Sequence, residues 1–327
     1  MRDSNRRTPV FAYATVAFAV LFLVAAFFLL RAWETNRGRF TGQQTEDGTL
    51  RYEDTDYVRR DGIESYLVLG LDKFEGGASD SYNNDKQADF LLLLVFDNQA
   101  KTCSAVQINR DTMADIGVLG VGGEKIDTVT KQIALAHTYG NGQKISCRNT
   151  KDAVEDLLLN IHIDHYVSFT MDSVAAMNDL VGGVEVEVKD DFTGIDDALV
   201  KGQKVTLMGE QALRYVRTRA GLEDSTNTTR MERQQQYINA LYEKTMTCMD
   251  ADEEFVVKLV DTMDDYVVYD SSDRKMQKIA EKFQSYEFLG IRKLEGQSKM
   301  GEKFMEFYPD ENSILKNVVE LFYTPKG

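Results

Sequence analysis

Four arginines lie close together in the second half of the chain: Arg217, Arg219, Arg230 and Arg233. A guanidinium group presents paired N–H donors that match two oxygens of one phosphate group, and it stays charged in proteins. The chain as a whole is acidic, with a formal net charge of −15 at pH 7, so average composition does not account for this cluster. The spacing indicates a site for a phosphate or pyrophosphate group, with an ordinary solvent-exposed basic edge as the alternative.

A short strand is predicted to carry the first two arginines. Leu213–Arg219 is rich in β-branched and aromatic residues, which favour a strand. Side chains two positions apart on a strand point to the same face, so Arg217 and Arg219 would lie side by side. A polar loop, Ala220–Thr228, would then lead the chain to the next element.

A helix is predicted to carry the other two arginines. Thr229 and Glu232 have the spacing of a capping box, in which each side chain satisfies a free backbone amide at the start of a helix. In a helix that begins near Arg230, the residues Arg233 and Gln234 follow at spacings of three and four and share one surface. The free amides and partial positive charge of a helix N-terminus also favour a bound anion.

Two carboxylates and one further arginine occur at the ends of predicted strands. Asp72 follows an apolar strand, Asp89 precedes a second one, and Arg110 follows a third. Ligands of open α/β sheets collect at the carboxyl ends of the strands, and Asp89 reaches that rim if its strand runs antiparallel to its neighbours. Mg²⁺ in proteins commonly takes one or two carboxylates together with phosphate oxygens, so these residues indicate a magnesium site. For either aspartate alone, a turn or capping role is the alternative.

The N-terminal part of the chain contains a candidate membrane anchor. Residues 10–30 carry no charge and are long enough to cross a hydrocarbon core of ~30 Å, whereas a cleaved signal peptide has a shorter apolar region. The predicted organisation is a cytoplasmic N-terminus at 1–9, a transmembrane helix at 10–30, a linker at 31–60 and one large domain at 61–327. Three arginines precede the apolar segment and three follow it by residue 39, so charge counting does not fix the orientation.

Strands and helices alternate along the rest of the chain, which indicates an α/β fold with a mixed central β-sheet sandwiched between helical layers. The predicted strands are 63–71, 88–97, 103–108, 165–170, 184–188, 213–219, 286–294 and 303–308. The predicted helices are 128–139, 150–160, 172–180, a short one within 206–213, 230–249, 255–262, 274–283 and 312–322. Serine-hydrolase, P-loop and zinc-protease motifs are absent, and the acidic net charge argues against a nucleic-acid partner.

Several short motifs, in this order, give the chain a resemblance to the LytR-CpsA-Psr family. The motifs are Leu69–Asp72, Ala88–Phe90, Asn109–Thr112, Ile163–Val167, Val181–Val186, Tyr215–Arg219 and Arg230–Gln235. They resemble the family's LGxD, SDT, PRDT, IDHYV, GGVEV, YVRxR and RxxRQQ sequences. The set covers nearly all of the chain after residue 61, and it is specific as a set although its shortest members are weak alone.

The resemblance implies a domain held outside the cell membrane by a single-pass anchor whose N-terminus is inside. It further implies a phosphotransferase that moves an anionic glycopolymer, teichoic-acid-like or capsular, from a polyprenyl-pyrophosphate carrier to peptidoglycan, with Mg²⁺ or Mn²⁺ as cofactor. By position, Asp72 and Asp89 would hold the metal, and Arg110, Arg230 and Asp89 would be catalytic residues. The residues expected to contact pyrophosphate are Arg110, Arg217, Arg219, Arg230, Arg233, Gln234 and Gln132.

Two of these positions depart from the family pattern. Asn109 stands where a proline usually precedes the Arg-Asp pair, which should relax the local backbone. Gln132 stands where a phosphate-contacting lysine is usual, and Lys131 lies one position away. The phosphate contact of that lysine would fall to Gln132 or to Lys131, and this difference bears on the choice of substrate.

The lipid part of such a substrate would need an apolar pocket. Leu91–Val95 and Thr150–Asn160 are candidates to line it, with membership of the ordinary core as the alternative. Two other functions use the same phosphate site. With water as acceptor the chain would be a polyprenyl-pyrophosphate phosphohydrolase, and without chemistry it would be a membrane-anchored, polyanion-binding regulator such as a transcriptional attenuator.

Overall fold

The structure is a computed structural model that describes residues 49–71, 84–218, 221, 227–271, 278–279, 282 and 284–326. They belong to one unit of the chain, Thr45–Gly327. The predicted anchor at 10–30, Asp72 and Arg219 lie outside the described residues. No helix in the described part of the chain is long and apolar enough to cross a membrane.

The elements of the described residues are as follows. The strands are β1 (Leu50–Tyr52), β2 (Thr55–Arg59), β3 (Ile63–Leu71), β4 (Ala88–Asp97), β5 (Thr102–Ile108), β6 (Met113–Leu119), β7 (Lys125–Gln132), β8 (His165–Thr170), β9 (Val184–Glu187), β10 (Lys204–Leu207), β11 (Val267–Tyr269), β12 (Glu287–Lys293), β13 (Gly296–Met300), β14 (Met305–Pro309) and β15 (Tyr323–Pro325). The α-helices are α1 (Lys144–Leu157), α2 (Ser173–Leu180), α3 (Gly209–Arg217), α4 (Asn227–Ala251), α5 (Phe255–Met263) and α6 (Glu311–Phe322). Two 3₁₀ helices span Ile133–Thr138 and Asp264–Tyr266.

Six strands form the central sheet, in the order β11–β8–β3–β4–β5–β12. The pairs β3–β8 and β5–β12 are parallel, whereas β4 runs antiparallel to both β3 and β5. The sheet is therefore mixed, as the alternation of predicted elements indicated. Tyr66–Leu71 of β3 and Phe90–Phe96 of β4 are apolar runs because packed layers cover both faces of the sheet at this point.

The two faces of β4 pack against different layers because successive side chains of a strand point to opposite sides. Within Leu91–Phe96, the odd-numbered residues join a buried cluster that includes residues of α1 and α6. The even-numbered residues join a second cluster with Ile279 and Tyr286. Helices α2, α4 and α5 lie on that second side of the sheet, beyond an internal cavity described below.

Smaller sheets surround the central one. β1, β2 and β15 form a three-stranded sheet that joins residues 50–59 to the C-terminal end of the chain. β9 pairs with β10, and two hairpins, β6–β7 and β13–β14, meet where Thr112 bridges to Phe307. Residues 50–59 fall within the stretch 31–60 that the sequence indicated as a linker.

The predicted strand at 213–219 is wrong, because Gly209–Arg217 is the helix α3. Ala212, Leu213, Tyr215 and Val216 are its buried residues, and this spacing of one, three and four is the period of a helix. The prediction that residues 217 and 219 share one face of a strand therefore loses its basis. Tertiary burial of an amphipathic face outweighed the β-branched and aromatic composition.

Two predicted helix starts are also wrong. Within the predicted helix at 128–139, residues up to Gln132 belong to the strand β7, which pairs with β6, and only Ile133–Thr138 is helical. α4 begins at Asn227, so Thr229 lies inside its first turn and is not the capping residue. Arg230 nevertheless lies in the first turn, where the sequence placed it.

Candidate active site

Arg110 and Asp89 meet at one rim of the central sheet. Because β4 runs antiparallel to β5, with Leu91 paired to Ile108, the start of β4 lies beside the end of β5. Nη1 of Arg110 donates to Oδ1 of Asp89, and Nη2 donates to Oε1 of Gln87 at 2.5 Å. The antiparallel strand that the sequence required for Asp89 to reach this rim is therefore present.

Arg230 approaches the same carboxylate from α4. Its Nη1 lies 3.8 Å from Oδ2 of Asp89, and its Nη2 donates to the backbone oxygen of Asp89 at 3.4 Å. Nη2 also donates to Oδ1 of Asn227 at 2.6 Å. Each oxygen of the Asp89 carboxylate thus faces one guanidinium group, and all three side chains are 14% exposed or less.

Asp111 and Gln132 form a second layer behind Arg110. Nε of Arg110 lies 3.5 Å from Oδ1 of Asp111, and the amide of Gln132 donates to that same oxygen at 2.9 Å and to the carbonyl of Met305 at 2.7 Å. Gln132 therefore holds a carboxylate that faces Arg110. Lys131 is exposed and donates to the hydroxyl of Tyr139 at 3.3 Å.

Of the two arginines predicted to join this site from residues 217–219, only Arg217 lies among the described residues. Arg217 is the last residue of α3 and its side chain is exposed. On the opposite side of the rim, Leu71 pairs with Ala88, so the residues that precede Asp72 and Asp89 are neighbours in the sheet.

Arg233 braces α4 against the rest of the domain. Its Nε donates to the carbonyl of Tyr215 at 3.2 Å, its Nη2 donates to the carbonyl of Thr218, and its Nη1 forms a 2.5 Å ion pair with Asp190. The side chain is 1% exposed and its guanidinium lies over the ring of Phe192 at 5.6 Å. All three nitrogens are occupied by protein groups, which corrects the prediction that Arg233 contacts pyrophosphate.

An apolar cavity of about 460 Å³ begins beside the arginine pair, between the sheet and helices α2, α4 and α5. Phe90, which follows Asp89, and Gln234, one helical turn after Arg230, both line it. The other lining residues include Val68, Gly70, Met171, Val174, Met177, Tyr237, Ile238, Leu241, Thr245, Met246, Leu259, Val260 and Met263. A largely apolar cavity therefore adjoins residues that neighbour the charged site in sequence.

The cavity is not where the sequence candidates placed it. Leu91, Leu93 and Val95 belong to the closed core on the opposite face of β4, together with Val154 and Leu158 from the predicted helix at 150–160. The alternative for these residues, ordinary core, is the correct one. The cavity instead uses α4 and α5, because only the even-numbered face of β4 turns toward them.

A buried network fixes the chain segment that leads into β4. Nδ1 of His137 must carry a proton, because it lies 2.8 Å from the carbonyl oxygen of Lys86, which can only accept. His137 is fully buried, and burial lowers its pKa to about 4. Nδ2 of Asn84 donates to the carbonyls of His137, Thr138 and Gly140 at 3.0–3.2 Å. Gln87 and Asp89 directly follow this hydrogen-bonded segment.

Comparison with known proteins identifies the family. The model of the LytR_cpsA_psr family matches residues 35–321. The chain belongs to the LytR_cpsA_psr family. It is 30% identical over 226 residues to a polyisoprenyl-teichoic acid–peptidoglycan teichoic acid transferase, TagU, of Enterococcus faecalis, with 68% of this chain and 66% of the relative covered. The TagU of Bacillus licheniformis is 28% identical over 180 residues, with 55% of this chain and 51% of the relative covered.

The fold of this LytR_cpsA_psr chain also matches solved structures. The structure of TagT bound to LI-WTA superposes with a TM-score of 0.60 at 23% identity, covering 80% of this chain and 90% of TagT. At that identity the likeness concerns the fold. The matched part of the chain spans about half to two thirds of the length of the curated relatives it matches.

Of the two metal ligands predicted from the sequence, Asp72 and Asp89, only Asp89 lies among the described residues of this family member. No group of three or more His, Cys, Asp or Glu side chains in the described part of the chain could hold a metal ion. The Asp89 carboxylate is a donor of the type that Mg²⁺ or Mn²⁺ takes together with phosphate oxygens.

Three site residues of this LytR_cpsA_psr chain were missed at the sequence level. Gln87 contacts Arg110, and Asn109 and Asn227 contact each other at 2.6 Å beside Arg230. The position of Gln87 two residues before Asp89 was a usable signal, because β4 begins between them. The contact between Asn109 and Asn227 depends on how α4 docks against β5, and short-range patterns carry no signal for it.

Proposed function

We propose that this chain is a phosphotransferase that moves an anionic glycopolymer, teichoic-acid-like or capsular, from a polyprenyl-pyrophosphate carrier to peptidoglycan. One observation carries the proposal: two largely buried arginines, Arg110 and Arg230, meet at Asp89, and the neighbouring residues Phe90 and Gln234 line an apolar cavity. A polyprenyl pyrophosphate has the same two parts, a charged headgroup and a long apolar chain. The names of the curated relatives, which are teichoic acid transferases, support the same activity.

The reaction is a phosphoryl transfer. A hydroxyl group of the acceptor sugar attacks the phosphorus that carries the polymer, and a new P–O bond forms as the bond to the departing polyprenyl phosphate breaks. The hydroxyl proton passes to solvent or to the departing phosphate. Positioning and stabilisation of charge on the phosphoryl oxygens supply most of the catalysis in such reactions. Arg110 and Arg230 stabilise this charge, and Asp89 holds both guanidinium groups in place before the substrate arrives.

We assign Mg²⁺ or Mn²⁺ to Asp89, with Asp72 as a second ligand proposed from the sequence. Charge balance supports a cation, because the carboxylates of Asp89 and Asp111 already balance the guanidiniums of Arg110 and Arg230. A pyrophosphate group would add negative charge that no further described residue of the cluster offsets. A divalent cation would supply that balance and would polarise a phosphoryl oxygen.

The location of the domain follows from the sequence proposal. Residues 10–30 anchor the chain in the cell membrane as a single span, with the N-terminus inside and the catalytic domain outside. An enzyme that takes a lipid-linked polymer and joins it to peptidoglycan must act at the outer surface of the membrane. Protease digestion of intact cells tests this, because the domain at 61–327 must be cleaved while a tag placed before residue 10 is protected.

The activity is tested with the full chain in detergent and a labelled polyprenyl-pyrophosphate saccharide, with and without peptidoglycan oligomers. Label on the oligomers is the expected result. Free saccharide phosphate, at the same rate with or without oligomers, would show a phosphohydrolase instead. Binding of the lipid without release of any label would show a regulator that holds its ligand. The matched control is Arg214→Ala. Arg214 lies in α3, is exposed and forms an ion pair with Asp196.

A further inference from the structure

A chain of buried hydrogen bonds joins the end of β5 to Arg230. Oδ1 of Asn109 accepts from the backbone N–H of Asp111 at 2.9 Å and from Nδ2 of Asn227 at 2.6 Å. Oδ1 of Asn227 accepts from Nη2 of Arg230 at 2.6 Å. Asn109 and Asn227 are 5% and 6% exposed, so water does not compete for these bonds.

The two ends of this chain fix the direction of both amide groups. The N–H of Asp111 and the guanidinium of Arg230 can only donate. Asn109 must therefore present its oxygen to Asp111, and Asn227 must present its oxygen to Arg230. The direction of the bond between the two asparagines is then determined, because Asn227 has only its N–H₂ group left to donate to the oxygen of Asn109. Neither amide can rotate by half a turn without opposing donor to donor.

The chain connects the two elements that carry the arginine pair. Asn109 lies between β5 and Arg110, and Asn227 is the first residue of α4, three positions before Arg230. In this series of hydrogen bonds, only the Asn109–Asn227 bond crosses from β5 to α4. A shift of α4 relative to β5 would break it. The amide pair thus holds the Arg230 guanidinium at a set place relative to Arg110 and Asp89.

We propose that Asn109 and Asn227 are positioning residues that act through Arg230. The inference rests on the phosphotransferase proposed above. The two amides do not touch the substrate; they hold one of the two guanidiniums where charge develops on the phosphoryl oxygens. Stabilisation of a transition state falls steeply when a donor is misplaced by a fraction of an ångström, so loss of the pair should lower kcat more than it raises KM.

Single substitutions test the chain from both ends. Asn109→Ala and Asn227→Ala should each lower kcat by about tenfold, since either change interrupts the series of hydrogen bonds that ends on the Arg230 guanidinium, while KM for the lipid substrate changes less than about threefold. The double variant should be about as slow as either single one, because both substitutions interrupt the same series of hydrogen bonds to Arg230. Asn109→Ser keeps an acceptor for the N–H of Asp111 but is too short to reach Asn227, and should resemble Asn109→Ala.

Dependence on Arg230 separates positioning from general damage. In an Arg230→Lys background, Asn227→Ala should change kcat by less than about twofold, because the residue it positions is gone. Asn317→Ala is the matched control, since it removes a buried amide that donates to Ser313 in α6, away from the site. It should lower the unfolding temperature and leave kcat unchanged. An equal loss of kcat in the parent and Arg230→Lys backgrounds, or no loss in either, would overturn the inference.

Binding of inorganic pyrophosphate, measured by calorimetry with Mg²⁺, gives a readout that does not need turnover. Asn227→Ala should weaken binding about threefold in the parent and leave it unaltered in Arg230→Lys. If the parent binds pyrophosphate but transfers nothing, the proposed transferase activity is refuted. The dissociation constants of the variants for pyrophosphate then decide whether Asn227 positions Arg230. A parent that does neither would refute both proposals.

Discussion

Arg230 and Arg233 lie three residues apart on α4, yet only Arg230 faces Asp89. The guanidinium of Arg233 ends on Asp190 and on two backbone carbonyls, of Tyr215 and Thr218. Residues three apart on a helix differ by about 60° in direction, so one can face the sheet rim while the other faces a neighbouring helix. The two arginines should therefore respond differently to the same substitution.

Replacement of Arg230 by alanine should lower kcat for transfer by about 100-fold or more, because one donor to a developing phosphoryl charge is lost. Arg110→Ala should have a similar effect. The measurement is initial-rate kinetics with the labelled lipid, together with circular dichroism to verify folding. Turnover within a factor of two of the parent would remove these residues from the catalytic site.

Replacement of Arg233 by alanine should instead destabilise the domain, by about 3–5 kcal/mol, because it leaves the Asp190 carboxylate without its buried partner. Urea denaturation measures the free energy of unfolding. Arg292→Ala is the matched control, since its ion pair with Glu320 is about 40% exposed and should contribute no more than about 1 kcal/mol. Equal effects of the two substitutions would contradict the bracing role of Arg233.

Filling the cavity should weaken lipid binding without disturbing the phosphate site. Leu241→Trp places a larger side chain in the cavity wall and should raise KM for the polyprenyl substrate about tenfold, whereas inorganic pyrophosphate should bind as before. Val257→Trp provides the comparison, because Val257 lies on α5 with 54% of its surface exposed and does not line the cavity. If both tryptophans raised KM equally, the cavity would not be the lipid site.

Stability should fall as the pH is lowered toward 4, because His137 is buried in its neutral form. Its folded pKa is about 4, below the ordinary value of about 6.5, so between these pH values the unfolded chain binds a proton that the folded chain does not. The sign is a loss of stability with falling pH, of up to about 3 kcal/mol over this window. Denaturation at pH 7 and pH 4.5 should show a smaller drop in His137→Gln than in the parent. Equal drops would place the pH dependence elsewhere.

Removal of the divalent cation should abolish transfer, and Mg²⁺ should restore it. Asp89→Asn should raise the Mg²⁺ concentration needed for half-maximal turnover, since a neutral amide is a weaker ligand for a hard cation. Asp115→Asn, which changes a carboxylate of β6 that accepts from Thr130, is the control and should leave the titration in place. An unchanged titration in Asp89→Asn would count against Asp89 as a ligand.

The buried strands were the most predictable part of the fold. β3 has the predicted bounds, Ile63–Leu71, because its apolar run from Tyr66 to Leu71 is typical of a strand covered on both faces. The reversed direction of β4 also followed, since Asp89 could reach the rim only that way. The helix at 209–217 was missed although the buried positions 212, 213, 215 and 216 show helical spacing, because β-branched and aromatic content was weighed more heavily than period.

The site itself was predictable only in part. Arginine clusters indicated phosphate chemistry, but sequence spacing could not tell that Arg233 is occupied by Asp190 while Arg230 faces Asp89. That difference depends on the docking of α4 against two separate elements. The sequence analysis predicted the wrong lining for the cavity for a similar reason. All residues of Leu91–Phe96 are apolar, so both faces of β4 look alike in the sequence, and only packing decides which face meets a closed core.

The pairing of Asp89 with both guanidiniums has a consequence for selectivity. A pair of arginines without an ion-pair partner would bind any phosphate-rich polymer of a cell wall, including the product of the reaction. Because an internal carboxylate already balances their charge, we expect the arginines to bind weakly any phosphate group that lacks a compensating cation and an apolar chain. The ion pairs with Asp89 should therefore reduce the binding of unrelated phosphate polymers.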